Sequence, residues 1–284
     1  MRYKYKQNAI VLGMLMLFQG SSRGDTAIVV IWTPDRTIIA ADSLTKLLHP
    51  PYTISSKCKI IQARDVFFTA SGMTGSEADI FDIRASVTEA AKQGGNIASI
   101  AAKLESLIAN PLKIQIEWLR KNAPADYEKR INSGRRVFLN VIFAGLEGGK
   151  PVLYWIEYMA THADPTPVTF KTISQNCPTN CTNVPAFVIP GLHDKIREYM
   201  GSHDMPRNQS LASIAEQLVT LEIDGIEAGH PIDVLEITKA GGKWIKRHDQ
   251  CADIQNQAEH KQDRKSVPKA TRKPKKSASV LRPL

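Results

Sequence analysis

Residues 24–47 constrain the fold more than any other part of the chain. They read GDTAIVVIWTPDRTIIAADSLTKL, with two runs rich in Ile and Val on either side of a Pro-Asp-Arg turn. Both runs are apolar at nearly every position, whereas a strand with one exposed face would alternate. We therefore predict a hairpin of strands 27–33 and 37–41 that is covered on both faces. Its second strand leads into Asp42, an acid for which a buried hairpin has no structural need.

The remaining patterns occur in segregated runs of strands and helices. Such runs favour an α+β layered fold over alternating βαβ units. Strands are predicted over 59–62, 66–71, 136–144, 152–158, 187–189, 232–238 and 243–246. Helices are predicted from Ser76 to the Gly94-Gly95 pair and over 96–110, 112–130, 194–200 and 211–221.

The first 24 residues have the composition of a secretory signal peptide. Basic residues without any acid precede an apolar run over 9–18, and small residues follow it. The apolar run is too short to span a bilayer comfortably. We expect a signal peptide over 1–24 and an exported protein, periplasmic or extracellular. The alternatives are an uncleaved N-terminal anchor and an amphipathic arm.

The net charge is concentrated at the other end of the chain. Residues 260–284 contain nine Lys or Arg and one acid, so nearly all of the formal net charge of +9 lies there. A basic nucleic-acid-binding surface on the main domain is therefore not indicated. We predict one domain over 25–250 and a basic disordered tail over 251–284, because the tail has too few apolar residues to repay the entropy of ordering. Alternatively, the tail contacts anionic lipid, envelope polymer or nucleic acid.

The four cysteines divide into a close pair and two isolated residues. Cys177 and Cys181 lie in NCPTNC, where a local disulfide is plausible in an exported protein. The pair has no second set of suitable ligands nearby, so no metal site is expected. Cys58 and Cys251 are interpreted as buried or idle thiols.

The chemistry of a threonine hydroxyl explains why Asp42 is of interest. The hydroxyl is a poor nucleophile unless a base lies close, and a free α-amine with a pKa of about 8 can serve when the threonine is the first residue. A nearby ammonium lowers the pKa of that amine, and a carboxylate holds the ammonium in place. Thr26 and Asp42 are candidates for two of these groups, and a lysine is needed to complete the set.

Asp42, in IIAADS, stands sixteen residues after Thr26. The segments SKCKII, VFFTASGMTGSEADI, VIFAGLEGGKPVLYWIEY and GHPIDVLEITKAGGKW follow along the chain. Taken in order over about residues 26–248, these motifs resemble those of proteasome β-type subunits and their bacterial relatives among the N-terminal nucleophile (Ntn) hydrolases, in which the acid has the same spacing. The chain is thus interpreted as an exported bacterial relative. The resemblance implies a four-layer αββα sandwich of two antiparallel sheets flanked by helices.

The resemblance also implies roles for particular residues. Thr26 would be the nucleophile, Asp42 would orient the lysine, and the amide of Gly72 would hold the oxyanion. For the lysine, the spacing in the family leaves two candidates, Lys57 and Lys59, which would share one strand face. Lys59 is favoured because Lys-Ile-Ile opens the strand as the family's lysine does. No cofactor or metal is implied. The expected partner is a peptide or amide substrate, a homo-oligomer is left open, and no specific nucleic acid is expected.

The chain departs from the family pattern in three places. Asp25 stands before Thr26 where self-processing members have glycine, and PGLHD offers Gly191 where they have a serine-containing turn. The family has an Asp-x-x-Ser motif before the last strands, and this chain has no clear match to it. The acid could be Glu222, Asp224 or Glu227, and Ala228 stands at the position where a serine is expected. The predicted function is an exported, proteasome-like threonine-type amide-bond hydrolase. The alternative is a non-catalytic proteasome-like assembly or binding domain with a basic contact tail.

Overall fold

A computed structural model describes most of the chain. The described residues are 26–46, 54–75, 81–131, 136–161, 170–191, 193–206, 208–223, 228–249 and 251. The predicted signal peptide and nearly all of the predicted tail lie outside them, as do Ser76, Asp224 and Glu227. No helix in the described ranges is long and apolar enough to cross a membrane.

The first sheet is built around the predicted hairpin. Its five strands lie in the order β10-β1-β2-β11-β12, and every neighbouring pair is antiparallel. In the central hairpin, all six residues of β1 and all but the first of β2 are buried, as the unbroken apolar pattern predicts. The strands are β1 Ile28–Thr33, β2 Arg36–Asp42, β10 Ala186–Val188, β11 Ile232–Thr238 and β12 Gly241–Lys246.

The second sheet has the order β5-β6-β7-β8-β9, again with antiparallel neighbours. Its long central hairpin turns at Gly148 and Gly149, which both have positive φ. Its strands are β5 Ile61–Ala63, β6 Val66–Gly72, β7 Val137–Glu147, β8 Lys150–Ala160 and β9 Phe170–Cys177. A separate pair, β3 Leu44–Lys46 and β4 Ile54–Ser56, follows β2 in the chain.

The helices cover the outer faces of the two sheets. They are α1 Ile83–Lys92, α2 Ile97–Asn122, α3 Pro124–Ile131, α4 Asp194–Ser202 and α5 Leu211–Glu222. The helices α1 to α3 pack on the second sheet and α4 and α5 on the first, while a third apolar cluster joins the inner faces of both sheets. The predicted four-layer αββα sandwich is therefore confirmed.

Several predicted elements differ from the observed ones. The helix break expected at Pro111 does not occur: α2 continues through it, because buried residues such as Ile108 and Leu112 continue one apolar stripe on both sides. The strand predicted from Lys59 begins at Ile61, and β9 was missed because its sequence, FKTISQNC, is largely polar. The first helix is described from Ile83, with Asp82 as its N-cap.

Candidate active site

Three of the predicted site residues meet at one end of the first sheet. Lys59 Nζ donates a hydrogen bond to Thr26 Oγ1 at 2.9 Å and contacts the two carboxylate oxygens of Asp42 at 3.1 and 3.3 Å. All three side chains are largely removed from water, with Asp42 0 % and the Lys59 side chain 8 % exposed. The arrangement is therefore a buried ion pair whose cation points at a threonine hydroxyl.

Asp42 is held rigidly because the backbone surrounds it with donors. Its Oδ1 accepts from the amide of Ala27 at 2.9 Å, and its Oδ2 accepts from the amides of Leu44 and Gly229 at 3.1 and 3.2 Å. Burial raises the pKa of the Asp42 carboxyl, while the Lys59 ammonium and the amide donors act in the opposite direction. The carboxylate thus fixes the position of Lys59 and also joins β1, β2 and the segment before β11.

The structure separates the two candidate lysines. Lys59 enters the site, whereas Lys57 is exposed, and its amide donates to the carbonyl of Ser43 at 2.7 Å. The prediction that both share one face of a strand is wrong, because residues 57–59 form no strand and strand alternation does not apply to them. Lys57 is therefore not part of this cluster.

Thr26 lies against the turn that contains Gly191. Ala27 and Gly191 form an antiparallel bridge, and Gly191 has a φ of 79°. A Cβ atom at Gly191 would overlap the Thr26 carbonyl oxygen and would lie 3.2 Å from Cβ of Ser71. Only glycine permits this approach, so Gly191 sets the distance between Thr26 and the end of β6.

Gly72, the predicted oxyanion donor, follows Ser71 at that end of β6. Its φ is 91°, and a Cβ atom there would overlap the carbonyl oxygen of Phe138 on β7. That carbonyl accepts from the amide of Met73 at 2.7 Å. The glycine thus allows β6 to end close against β7, next to the turn that touches Thr26.

A disulfide at Cys58 and a hydrogen bond from Arg84 lie next to Lys59, and the sequence patterns predicted neither. Cys58, predicted to be a buried or idle thiol, forms a disulfide with Cys251, and Arg84 donates to the carbonyl of Cys58. The pairing links residues 193 positions apart, and no local pattern indicates such a partner. Cys177 and Cys181, for which the sequence left a local disulfide open, are joined by one.

One group among the described residues has the composition of a metal site. Cys58, His248 and Cys251 offer ligand atoms that lie within 4.8 Å of one another. Both sulfur atoms are joined in the disulfide, however, so neither is a thiolate able to bind a cation.

Comparison with known proteins gives little further information about this site. No family model and no curated protein matches the chain. A solved structure, the Anbu (Gly-1) mutant from Hyphomicrobium sp. strain MC1, matches with a TM-score of 0.47 and 16 % identity, over 86 % of this chain and 99 % of that one. This is at most a distant similarity.

The prediction that the chain is a bacterial proteasome β-subunit relative is therefore wrong. An identity of 16 % and a TM-score of 0.47, together with the lack of any matching family model, do not support membership. Each of the short motifs is only weakly specific by itself, and their occurrence in the expected order does not establish membership of the family. The four-layer fold and the geometry at Thr26 stand independently of that assignment.

Proposed function

We propose that this chain hydrolyses amide bonds with the hydroxyl of Thr26 as the nucleophile. One observation carries the proposal: the buried Lys59 ammonium, paired with Asp42, donates its hydrogen bond to Thr26 Oγ1. An ammonium in this position stabilises the negative charge that develops on the oxygen as it attacks a carbonyl. A buried ion pair adds little to stability by itself, so a chemical use explains it better than a structural one.

The proposed mechanism needs a proton acceptor, which a free α-amine on Thr26 supplies. The amine takes the hydroxyl proton while Oγ1 bonds to the substrate carbonyl carbon, and the C–N bond of the tetrahedral intermediate then breaks with proton transfer to the leaving amine. Water hydrolyses the resulting ester and regenerates Thr26. Lys59 lowers the pKa of the α-amine by charge repulsion, and the Gly72 amide donates to the oxyanion.

Maturation is the step on which this proposal depends. Asp25 precedes Thr26, and signal cleavage after Ser22 or Gly24 leaves it in place. We therefore expect a second cleavage, of the Asp25–Thr26 bond, in the active protein. Export is part of the same proposal and is supported by the two disulfides among the described residues, which are typical of oxidising compartments.

The decisive experiment combines N-terminal sequencing of the mature protein from its host with hydrolysis of fluorogenic peptide amides. We expect a mature chain that starts at Thr26. Thr26→Ala should lower hydrolysis by about 10³-fold or more, because it removes the nucleophile, whereas Thr26→Ser should keep part of it. Equal hydrolysis by wild type and Thr26→Ala would exclude this mechanism.

The presence of Asp25 before Thr26 favours a second candidate function. If Asp25 remains in the mature protein, Thr26 has no α-amine, and the domain is then proposed to be a non-catalytic assembly or binding domain with the basic tail as its contact arm. This candidate predicts a mature chain with Asp25 present and no hydrolysis. It also predicts that deletion of residues 260–284 abolishes binding to anionic vesicles, while Thr26→Ala leaves that binding unchanged.

A further inference from the structure

The segment that presents Lys59 has no regular secondary structure. Residues 57–59 lie between β4 and β5, outside both strands. A backbone segment without ladder hydrogen bonds does not hold a long side chain in place by itself. Yet Lys59 Nζ is directed at two partners, Thr26 and Asp42, in a space from which water is largely excluded. Other contacts must therefore fix this segment.

Within the part of the chain that the structure describes, contacts of three kinds hold the segment. The amide of Lys57 donates to the carbonyl of Ser43, the residue after Asp42. The guanidinium of Arg84, in the first turn of α1, donates to the carbonyl of Cys58. The third contact is covalent, since Cys58 Sγ is bonded to Cys251. Cys58 directly precedes Lys59, so its position determines where the lysine side chain begins.

The far end of the disulfide is itself anchored to the sheet that holds Asp42. The amide of Cys251 donates to the carbonyl of His248, whose own amide donates to Asp233 Oδ1 at 2.9 Å. Asp233, 1 % exposed, lies on β11 opposite Ala41 of β2, one residue before Asp42. The disulfide therefore connects the lysine segment to the strand pair from which the carboxylate projects.

We propose that the Cys58–Cys251 disulfide is a positioning element that holds Lys59 against Thr26 and Asp42. This inference rests on the proposed function for its catalytic consequence. Reduction by a phosphine breaks the S–S bond: each sulfur gains a proton, and the phosphorus is oxidised to the phosphine oxide with oxygen from water. The loosened segment then lets Lys59 leave Thr26, so that the α-amine is no longer held next to a positive charge.

The first test compares the pH dependence of kcat/KM for oxidised protein, phosphine-reduced protein and the Cys58→Ser/Cys251→Ser variant. We expect kcat/KM to fall by about 10- to 100-fold when the lysine is misplaced. The acidic limb of the profile should move to higher pH, because the α-amine recovers its ordinary pKa. General destabilisation would lower the rate without moving that limb. The matched control, Cys177→Ser/Cys181→Ser, should keep the oxidised profile.

The second test needs no catalysis. The full chain is acylated with acetic anhydride, and labelling at individual lysines is followed by mass spectrometry. Lys57 is the internal control because it is exposed in the structure, while Lys59 is buried against Asp42. We expect reduction to raise the labelling rate of Lys59 by about tenfold or more and to leave that of Lys57 unchanged, with circular dichroism verifying that the reduced protein is folded.

The two tests distinguish an error in the positioning role of the Cys58–Cys251 disulfide from an error in the proposed function. If the reduced, folded protein keeps both the protection of Lys59 and the acidic limb of the profile, the positioning role is wrong. If the oxidised protein that starts at Thr26 hydrolyses nothing, the proposed function is wrong, and the labelling comparison still decides whether the disulfide holds Lys59. Should the serine variant fail to fold, the comparison of oxidised with phosphine-reduced wild type decides the first test, and the second test does not use the variant.

Discussion

Two buried regions share the strands β1 and β2 but are stabilised by different forces. Between the two sheets, apolar side chains such as Val30, Ile39 and Leu235 pack together, and burial of apolar surface is sufficient. At the ends of the same strands, the buried groups are Thr26 and Asp42, which need specific partners because an unpaired buried polar group is costly.

Because of this difference, the two regions should respond differently to substitution. The inter-sheet layer tolerates exchange among apolar side chains of similar size, because its attraction is not directional. The polar end of the sheet, formed by Thr26, Asp42 and Lys59, does not tolerate such exchange. Its Asp42 carboxylate depends on Lys59 and on the amides of Ala27, Leu44 and Gly229. We therefore expect substitutions at the polar end to affect both stability and hydrolysis, and those in the apolar layer to affect stability alone.

The largest expected effect concerns the two disulfides. Loop-closure entropy assigns about 5 kcal/mol of unfolding free energy to a separation of 193 residues and about 2 kcal/mol to a separation of 4. Denaturation by urea of Cys58→Ser/Cys251→Ser and Cys177→Ser/Cys181→Ser measures both losses. Equal losses would mean that the long-range pair does not restrict the unfolded chain as expected.

Removal of the buried cation comes next. Lys59→Met leaves the Asp42 carboxylate buried without its counter-charge, which should cost about 3–5 kcal/mol of unfolding free energy and abolish hydrolysis. The matched variant, Lys57→Met, changes an exposed lysine two positions away and should alter unfolding by less than about 0.5 kcal/mol. Similar results for both variants would contradict the separation of these lysines.

A pair of glycine substitutions tests the close approach at Thr26. Gly191 and Gly149 both have positive φ. A Cβ atom added at Gly191 would overlap the Thr26 carbonyl oxygen, whereas one added at Gly149 would lie in open space. Gly191→Ala should therefore lower the unfolding free energy by about 1–3 kcal/mol more than Gly149→Ala, and it alone should impair hydrolysis. Thermal unfolding and the peptide-amide assay provide the two measurements.

The smallest effect is expected in the apolar layer. Ile142→Val removes one buried methylene between the sheets and should lower the unfolding free energy by about 0.5–1.5 kcal/mol. Its hydrolysis rate and pH profile should equal those of the wild type at a temperature where both are folded. A shifted pH profile would show that the layer and the polar end are coupled.

Much of the fold was predictable because its signals are local. The unbroken apolar runs gave the covered hairpin, β11 was predicted with its observed bounds, and the segregated element order gave the layered α+β class. The prediction failed where packing overrides local preference, as at Pro111 inside α2. It also failed for β9, whose polar residues gave no strand pattern.

The sequence by itself determined that Thr26 and Asp42 stand at the ends of two buried, adjacent strands, because hydrophobic periodicity and turn residues act over a few positions. Only the tertiary structure decided that Lys59 and not Lys57 joins them, that Gly191 and Gly229 complete their surroundings, and that Cys58 pairs with Cys251. These contacts connect residues up to 193 positions apart. They depend on how the layers pack, which local pattern does not specify.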